Sequence, residues 1–186
     1  MNATRPDPTV PEAAGALALG DVFVRAADGA PRAAFTLPLE GTTADALAAL
    51  AARLALPAHA PYRAALALAE AHLTGAASVR VLDDDGQPRL LDVPTAGSLA
   101  AWLGAAPRAD VAAGEAAPAW GWATDAADAE RALERADSAW WLQSGATPAL
   151  RAICRNPPFD EAALTRFAAG LRHLLRGMAD GGDVDL

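Results

Sequence analysis

Near the end of the chain, seven apolar residues recur at helical spacing: Leu164, Phe167, Ala168, Leu171, Leu174, Leu175 and Met178. Their offsets predict a helix over 161–178 with a single apolar stripe, and Asp160 stands where its cap belongs. A stripe of that length needs an apolar layer opposite it, so the remaining chain has to supply one. Three pairs of short apolar runs can do so. Residues 21–25 and 33–39 flank Ala27-Asp28-Gly29-Ala30, and 78–82 and 88–93 flank Asp83-Asp84-Asp85-Gly86. The Asp-Gly steps mark both as hairpins. Residues 138–144 and 149–155 form a third pair around Gly145-Ala146-Thr147-Pro148, and Asn156-Pro157-Pro158 then breaks the chain.

Helices are expected between these pairs. Thr42 or Thr43 caps a segment over 43–56, with Asp45 in its first turn, an apolar stripe of Leu47, Leu50 and Leu54, and Pro57 as its stop. A second helix over 61–74 starts on Pro61 and ends at Gly75; Ala and Leu on both its faces point to burial. Ser98 caps a short helix through Trp102 and Leu103, and residues 125–135 are rich in helix formers. In that last segment the pairs Glu130/Glu134 and Arg131/Arg135 are like-charged, so propensity and packing must support it. Residues 104–124 show no period and read as a long loop. The order β-β-α-α-β-β-α-loop-α-β-β-α describes an α/β (α+β) domain, a single mixed β-sheet covered by helices.

At 186 residues the chain makes one domain, expected over 16–178. Residues 1–15, with three prolines, read as a disordered leader, and the Gly-rich acidic residues 179–186 as a disordered tail. All 15 basic residues are Arg, and against 23 acids they leave a net charge of -8. Such a surface argues against nucleic-acid and membrane partners. The 52 alanines and the absence of Lys fit a GC-rich coding sequence and say nothing of mechanism. The start has no apolar signal region and no run approaches 18 apolar residues, so the reading is of a soluble bacterial cytoplasmic protein.

Motifs that carry chemistry are scarce. His59, His72 and His173 have no partner at metal-ligand or triad spacing, and each reads as a solvated or helix-end residue. Cys154, the single cysteine, excludes an internal disulfide and reads as a small strand thiol with nothing near it in sequence to lower its pKa. The DDDG run lacks the later oxygen ligands of a calcium loop, and neither a phosphate loop nor a nucleophile elbow occurs. No catalytic residue, metal or cofactor is therefore expected. The tryptophans are more informative. Trp140 and Trp141 are adjacent on a strand and must point to opposite faces, while Trp120 and Trp122 flank Gly121 in the loop. These four are candidate interface residues.

Several segments taken together resemble the C-terminal lobe of condensation domains of nonribosomal peptide synthetases, in the chloramphenicol-acetyltransferase-like superfamily. The matching stretches are residues 34–39 and 43–56, the Ala/Leu helix ending His72-Leu73-Thr74-Gly75, and the short helix SLAAWL of 98–103. SAWWLQSG, ALRAICRNPPFD and EAALTRFAAGLRHLLRGM complete the likeness, which is most specific over 156–178 and spans about 35–178. The resemblance implies one lobe of an acetyltransferase-like fold. Active members carry HHxxxDG, whose second His acts on the attacking amine; this chain has no adjacent His pair and no lobe to hold one. The stretch 104–125, where full domains reach across to the other lobe, is abbreviated and unlike the family.

The resemblance thus implies a non-catalytic partner of a nonribosomal peptide or hybrid polyketide assembly line. It would bind a synthetase domain, a carrier protein or a second copy through an exposed apolar face. An alternative is one half of a split condensation enzyme whose HHxxxDG lobe is encoded separately. A further alternative, which sets the likeness down to Ala-rich helices, is an unrelated small α/β binding domain.

Overall fold

A computed structural model describes residues 23–25, 33–82, 86–94, 101–103, 120–155 and 161–181. The elements are β1 (Phe23–Arg25), β2 (Ala33–Pro38), α1 (Gly41–Arg53), α2 (Ala60–Thr74), β3 (Ser78–Leu82), β4 (Pro88–Asp92), β5 (Trp120–Trp122), α3 (Ala126–Leu133), β6 (Ser138–Gln143), β7 (Ala149–Cys154) and α4 (Glu161–Gly181). Residues 101–103 are also helical. The seven strands form one sheet in the order β1-β2-β7-β6-β5-β3-β4. It is mixed: β3/β5 and β5/β6 are parallel, and the other pairs are antiparallel. The expected α/β architecture with a single mixed sheet is the one observed.

Helices cover the sheet unequally. On the front face α1, α2 and α4 pack together, while among the described residues only α3 lies on the back, over β5, β6 and β7. Strand alternation assigns the side chains. Phe35 pairs with Ala152, Ala152 with Trp140 and Trp140 with Trp122, all facing front; Trp141, Ala139 and Gly121 face back. The final helix buries Phe167, Leu171, Leu175 and Met178 as its spacing predicts, with Leu174 partly buried beside them. The side chain of Leu164 lies outside the described residues. Helix α2 is buried continuously from Ala64 to Ala69, and Gly75 stops it in the left-handed region (φ 68°), its N–H donating to Ala71 O at 2.8 Å.

Four expectations need correction. First, the 104–124 loop contains a strand, β5, at Trp120–Trp122. Three residues are too few to show a period, and the strand forms because β3 and β6 pair with it from both sides. Its WGW sequence suits that place. Both indoles face front, and on the back a Cβ at Gly121 would crowd Leu82 Cδ1 at 3.1 Å while meeting Ala132 Cβ of α3 at an ordinary 3.5 Å, so the glycine makes room for the Leu82 side chain.

Second, α1 spans Gly41–Arg53 instead of 43–56. Neither Thr42 nor Thr43 caps it and its first turn holds no acid: Leu39 N–H is still tied to Pro148 O at 2.9 Å, so the helix begins directly after Glu40. At the other end Ala55 takes a left-handed φ of 55°. Its N–H donates to Ala52 O at 3.1 Å and that of Leu56 to Ala51 O at 2.9 Å, a Schellman motif that tucks Leu56 against the core.

Third, α3 packs on the sheet as expected, with Ala129 and Leu133 buried, but side-chain hydrogen bonds and one ion pair support it as well. Asp125 Oδ1 accepts from Asp128 N–H at 2.8 Å, and Asp128 Oδ2 accepts from Thr124 N–H at 2.9 Å. Asp128 also pairs with Arg131 at 3.0 Å. These bonds, the Thr124 backbone N–H foremost, hold its carboxyl below the usual aspartate range. Fourth, α4 runs past its expected end at Met178 to Gly181. The predicted leader, the turns at 26–32 and 83–85, the Ser98 cap, the Asp160 cap and residues 182–186 lie outside the described residues.

Candidate functional site

The polar and aromatic groups that stand out lie along the seam between α2 and β5. At the amino end of the strand, Trp120 (3% exposed) donates its indole N–H to Glu70 Oε2 at 2.9 Å. Glu70 is the one acid in the Ala/Leu helix, and its Cα belongs to the turn before the Gly75 stop. Burial raises its carboxyl pKa to about 7; the Trp120 bond opposes the rise and Asp137 adds to it. A carboxyl poised near neutrality beside an indole donor can hold or release a proton under ordinary conditions.

At the carboxyl end of β5, Trp122 is half-buried and stacks on His59 with ring centroids 5.3 Å apart and planes 22° apart. Tyr62 lies beyond at 6.3 Å and 28°. Tyr62 is fully buried, and burial, with a smaller contribution from the Asp45 charge, pushes its hydroxyl up to about 12, so it stays protonated. The seam therefore has a proton-holding end and an aromatic end, joined by three residues of strand.

The four candidate interface tryptophans fall in three environments. Trp120 and Trp140 (6% exposed) belong to the front core, where Trp140 meets Phe35 at 5.2 Å and Phe167 at 6.0 Å and donates to Ser138 Oγ at 3.1 Å. Trp141 (9% exposed) is on the back, under α3, with Arg151 Cζ 5.9 Å from its ring centroid. Trp122 alone of the four keeps an appreciably exposed side chain.

The histidines are not brought together. His59 is the residue before α2, His72 is exposed in its last turn about 20 Å further along the axis, and His173 is exposed on α4. Cys154 is pushed up to about 11 by burial, which disfavours the thiolate. Among the described residues no group of three His, Cys, Asp or Glu could hold a metal, and no helix is long and apolar enough to cross a membrane. Glu70 was missed in the sequence reading. Its signal was there: a single acid inside a helix whose two faces are otherwise apolar.

No protein-family model matches the chain, and no curated protein matches it. Solved structures do. The X-domain from teicoplanin biosynthesis superposes with a TM-score of 0.62 at 15% identity, over 88% of this chain and 51% of that one. The same domain in its complex with OxyB gives 0.60 at 16%, over 88% and 49%. The condensation domain of the Monacolin K polyketide synthase MokA gives 0.59 at 11%, over 98% and 56%. This chain spans about half the length of each, and at such identities the likeness is one of fold. The chain therefore has the half-condensation-domain fold, one lobe of the architecture that condensation domains and X-domains share.

Proposed function

We propose that the chain is a non-catalytic partner protein of a nonribosomal peptide or hybrid polyketide assembly line. In this reading it binds a synthetase domain, a carrier protein or a second copy of itself. The observation that carries the reading is the likeness to the X-domain, a fold of this kind solved in complex with another protein, OxyB. The chemistry of the chain supports it. HHxxxDG does not occur in the sequence, the three histidines are dispersed, and the cysteine is held as a thiol. Among the four tryptophans, Trp122 supports an interface role through its exposed edge, while Trp120, Trp140 and Trp141 support the fold.

The direct test is to purify nonribosomal peptide synthetase and carrier domains from the organism that encodes this chain and titrate each against it. A defined complex with one of them is expected. A chain that stays monomeric and binds none overturns the reading. Incubation of the chain alone with an acyl-loaded carrier protein and an amine acceptor should give no turnover above background. Turnover lost on His59→Ala, His72→Ala or His173→Ala would replace a partner with an enzyme. A split enzyme is the second reading, favoured by the half-length coverage of each related structure. It requires acyl transfer to appear when a separately encoded HHxxxDG lobe is added.

A further inference from the structure

The sheet is assembled from two blocks. β1-β2-β7-β6 is one, in which β2/β7 and β6/β7 each pair over six residues. β3 and β4, paired over five residues, are the other. Among the described residues only β5 stands between them, and it is three residues long. It pairs with β6 over all three, but with β3 at two positions only, Val81 with Trp120 and Leu82 with Gly121. The smaller block therefore hangs on the larger through two residues. From the front it is held by α2 and the core, where Val79, Val81 and Leu91 are buried.

One of those two residues is fastened to the helix layer: the Trp120 indole N–H donates to Glu70 Oε2 at 2.9 Å. Glu70 is poorly supported as an anion. A buried carboxylate is stabilised by several donors or by a cation. Here the indole is its one side-chain donor, and the charge acting on it is that of Asp137, ahead of β6, which repels it. β5 carries no ionisable residue, and Arg80 of β3 lies on the back of the sheet, one residue from front-facing Val81. Among the described residues no cation of α2 or α4 offsets Asp137. Glu70 is partly exposed, so on ionisation its carboxyl can turn outward to water. Trp120, 3% exposed, then loses the partner of its N–H.

We propose that β5 is a hinge between the two blocks and that the Glu70–Trp120 bond is its pH-sensitive clasp. With Glu70 protonated the clasp is closed. Ionisation releases it, and β3 and β4 part from β5 in a local opening that leaves β2, β7 and β6 folded. The direction follows from linkage. Opening returns Glu70 to water, so the open form binds fewer protons between 4.5 and about 7; its population rises with pH through that window and levels off above it. The cost of exposing Val79, Val81 and Leu91 keeps the open form a minor species.

Native-state hydrogen exchange of the full chain in low urea, read residue by residue, tests this. The amides of β3 and β5 should be less protected than those of β6 and β7 paired with each other, and should depend less steeply on urea. Corrected for intrinsic rates, their opening should increase about tenfold between about pH 5.5 and about pH 8.5. Glu70→Gln, of the same shape but unable to ionise, should flatten that increase. Trp120→Phe keeps a ring and removes the donor, and should raise opening of β3 and β5 at about pH 5.5 without affecting β6 and β7. Amides of β3, β5, β6 and β7 that follow a single urea dependence overturn the hinge. An increase with pH that persists in Glu70→Gln, or a Trp120→Phe variant that opens no faster than wild type, overturns the clasp.

Discussion

Trp140 and Trp141 are neighbours on one strand, yet they sit in cores of different construction. Trp140 is wedged between the rings of Phe35 and Phe167, tilted at 61° and 54° to them, beneath a layer of three helices. Trp141 is surrounded by Ala123, Ala129 and Ala139, beneath one eight-residue helix. The difference lies in the side chains that fill each layer. On the back, Ala132 and Ile153 join the three alanines around the ring. The front layer is built on Leu, Phe and Trp side chains. One face is stabilised by the burial of large side chains, the other by a smaller cluster and by the hydrogen bonds that cap its helix.

Substitutions can break or sharpen that contrast. The largest effect is expected at the front: Trp140→Ala should cost about 3–5 kcal/mol in urea unfolding. Trp141→Ala should cost less, roughly 2 kcal/mol, because the long side chain of Arg151 can fold into the gap. Equal costs would erase the distinction between the faces. Next comes Leu171→Ala, fully buried in the front layer, at about 2–5 kcal/mol and a fall of roughly 5–15 °C in Tm. An unchanged melting curve would mean that α4 does not present this stripe to the sheet.

Glu70 gives the front layer a pH dependence. Its carboxyl titrates near 4.5 when unfolded and about 7 when folded. Between those values the native state binds more protons than the unfolded state, so stability falls as pH rises through the window. The contribution is complete below about 4.5 and lost above about 7. Glu70→Gln should remove this slope and stabilise the protein at pH 8 by on the order of 1–2 kcal/mol, the side chain being partly solvated. Melting from pH 4 to 8 with Trp fluorescence as the probe measures it, and a variant that keeps the wild-type slope would assign the titration elsewhere. The smallest effect is at the back: Asp125→Ala removes the α3 cap at a cost of about 1 kcal/mol. Hydrogen exchange should quicken at the Asp128 amide and leave α4 unchanged; equal acceleration in both helices would mean that the two layers melt as one.

The fold was largely legible in residue order because its longer elements carry their own period. Leu164 to Met178 spelled out α4, and Gly75 marked the end of α2. The errors fall where local signal is weakest. The Schellman motif after α1 uses Ala55 where Gly is usual, so only Pro57 marked a stop and it set the end too late, and Thr42 and Thr43 offered a cap that the tether on Leu39 made unnecessary. The candidate site was legible only in its ingredients. Trp120 and Trp122 were singled out, but as residues of a loop, and their partners Glu70, His59 and Tyr62 are remote in sequence.

The sequence by itself determined the elements whose hydrophobic spacing is complete within one segment and the single mixed sheet they imply. Tertiary structure alone decided three things: that WGW is a strand, that Glu70 meets an indole and is driven toward neutrality, and that Trp140 and Trp141 lie in cores of different composition. Each of these depends on free energy exchanged between distant segments. A three-residue strand has no stability without neighbours on both sides, and a carboxyl keeps its ordinary pKa until another part of the chain takes its water away.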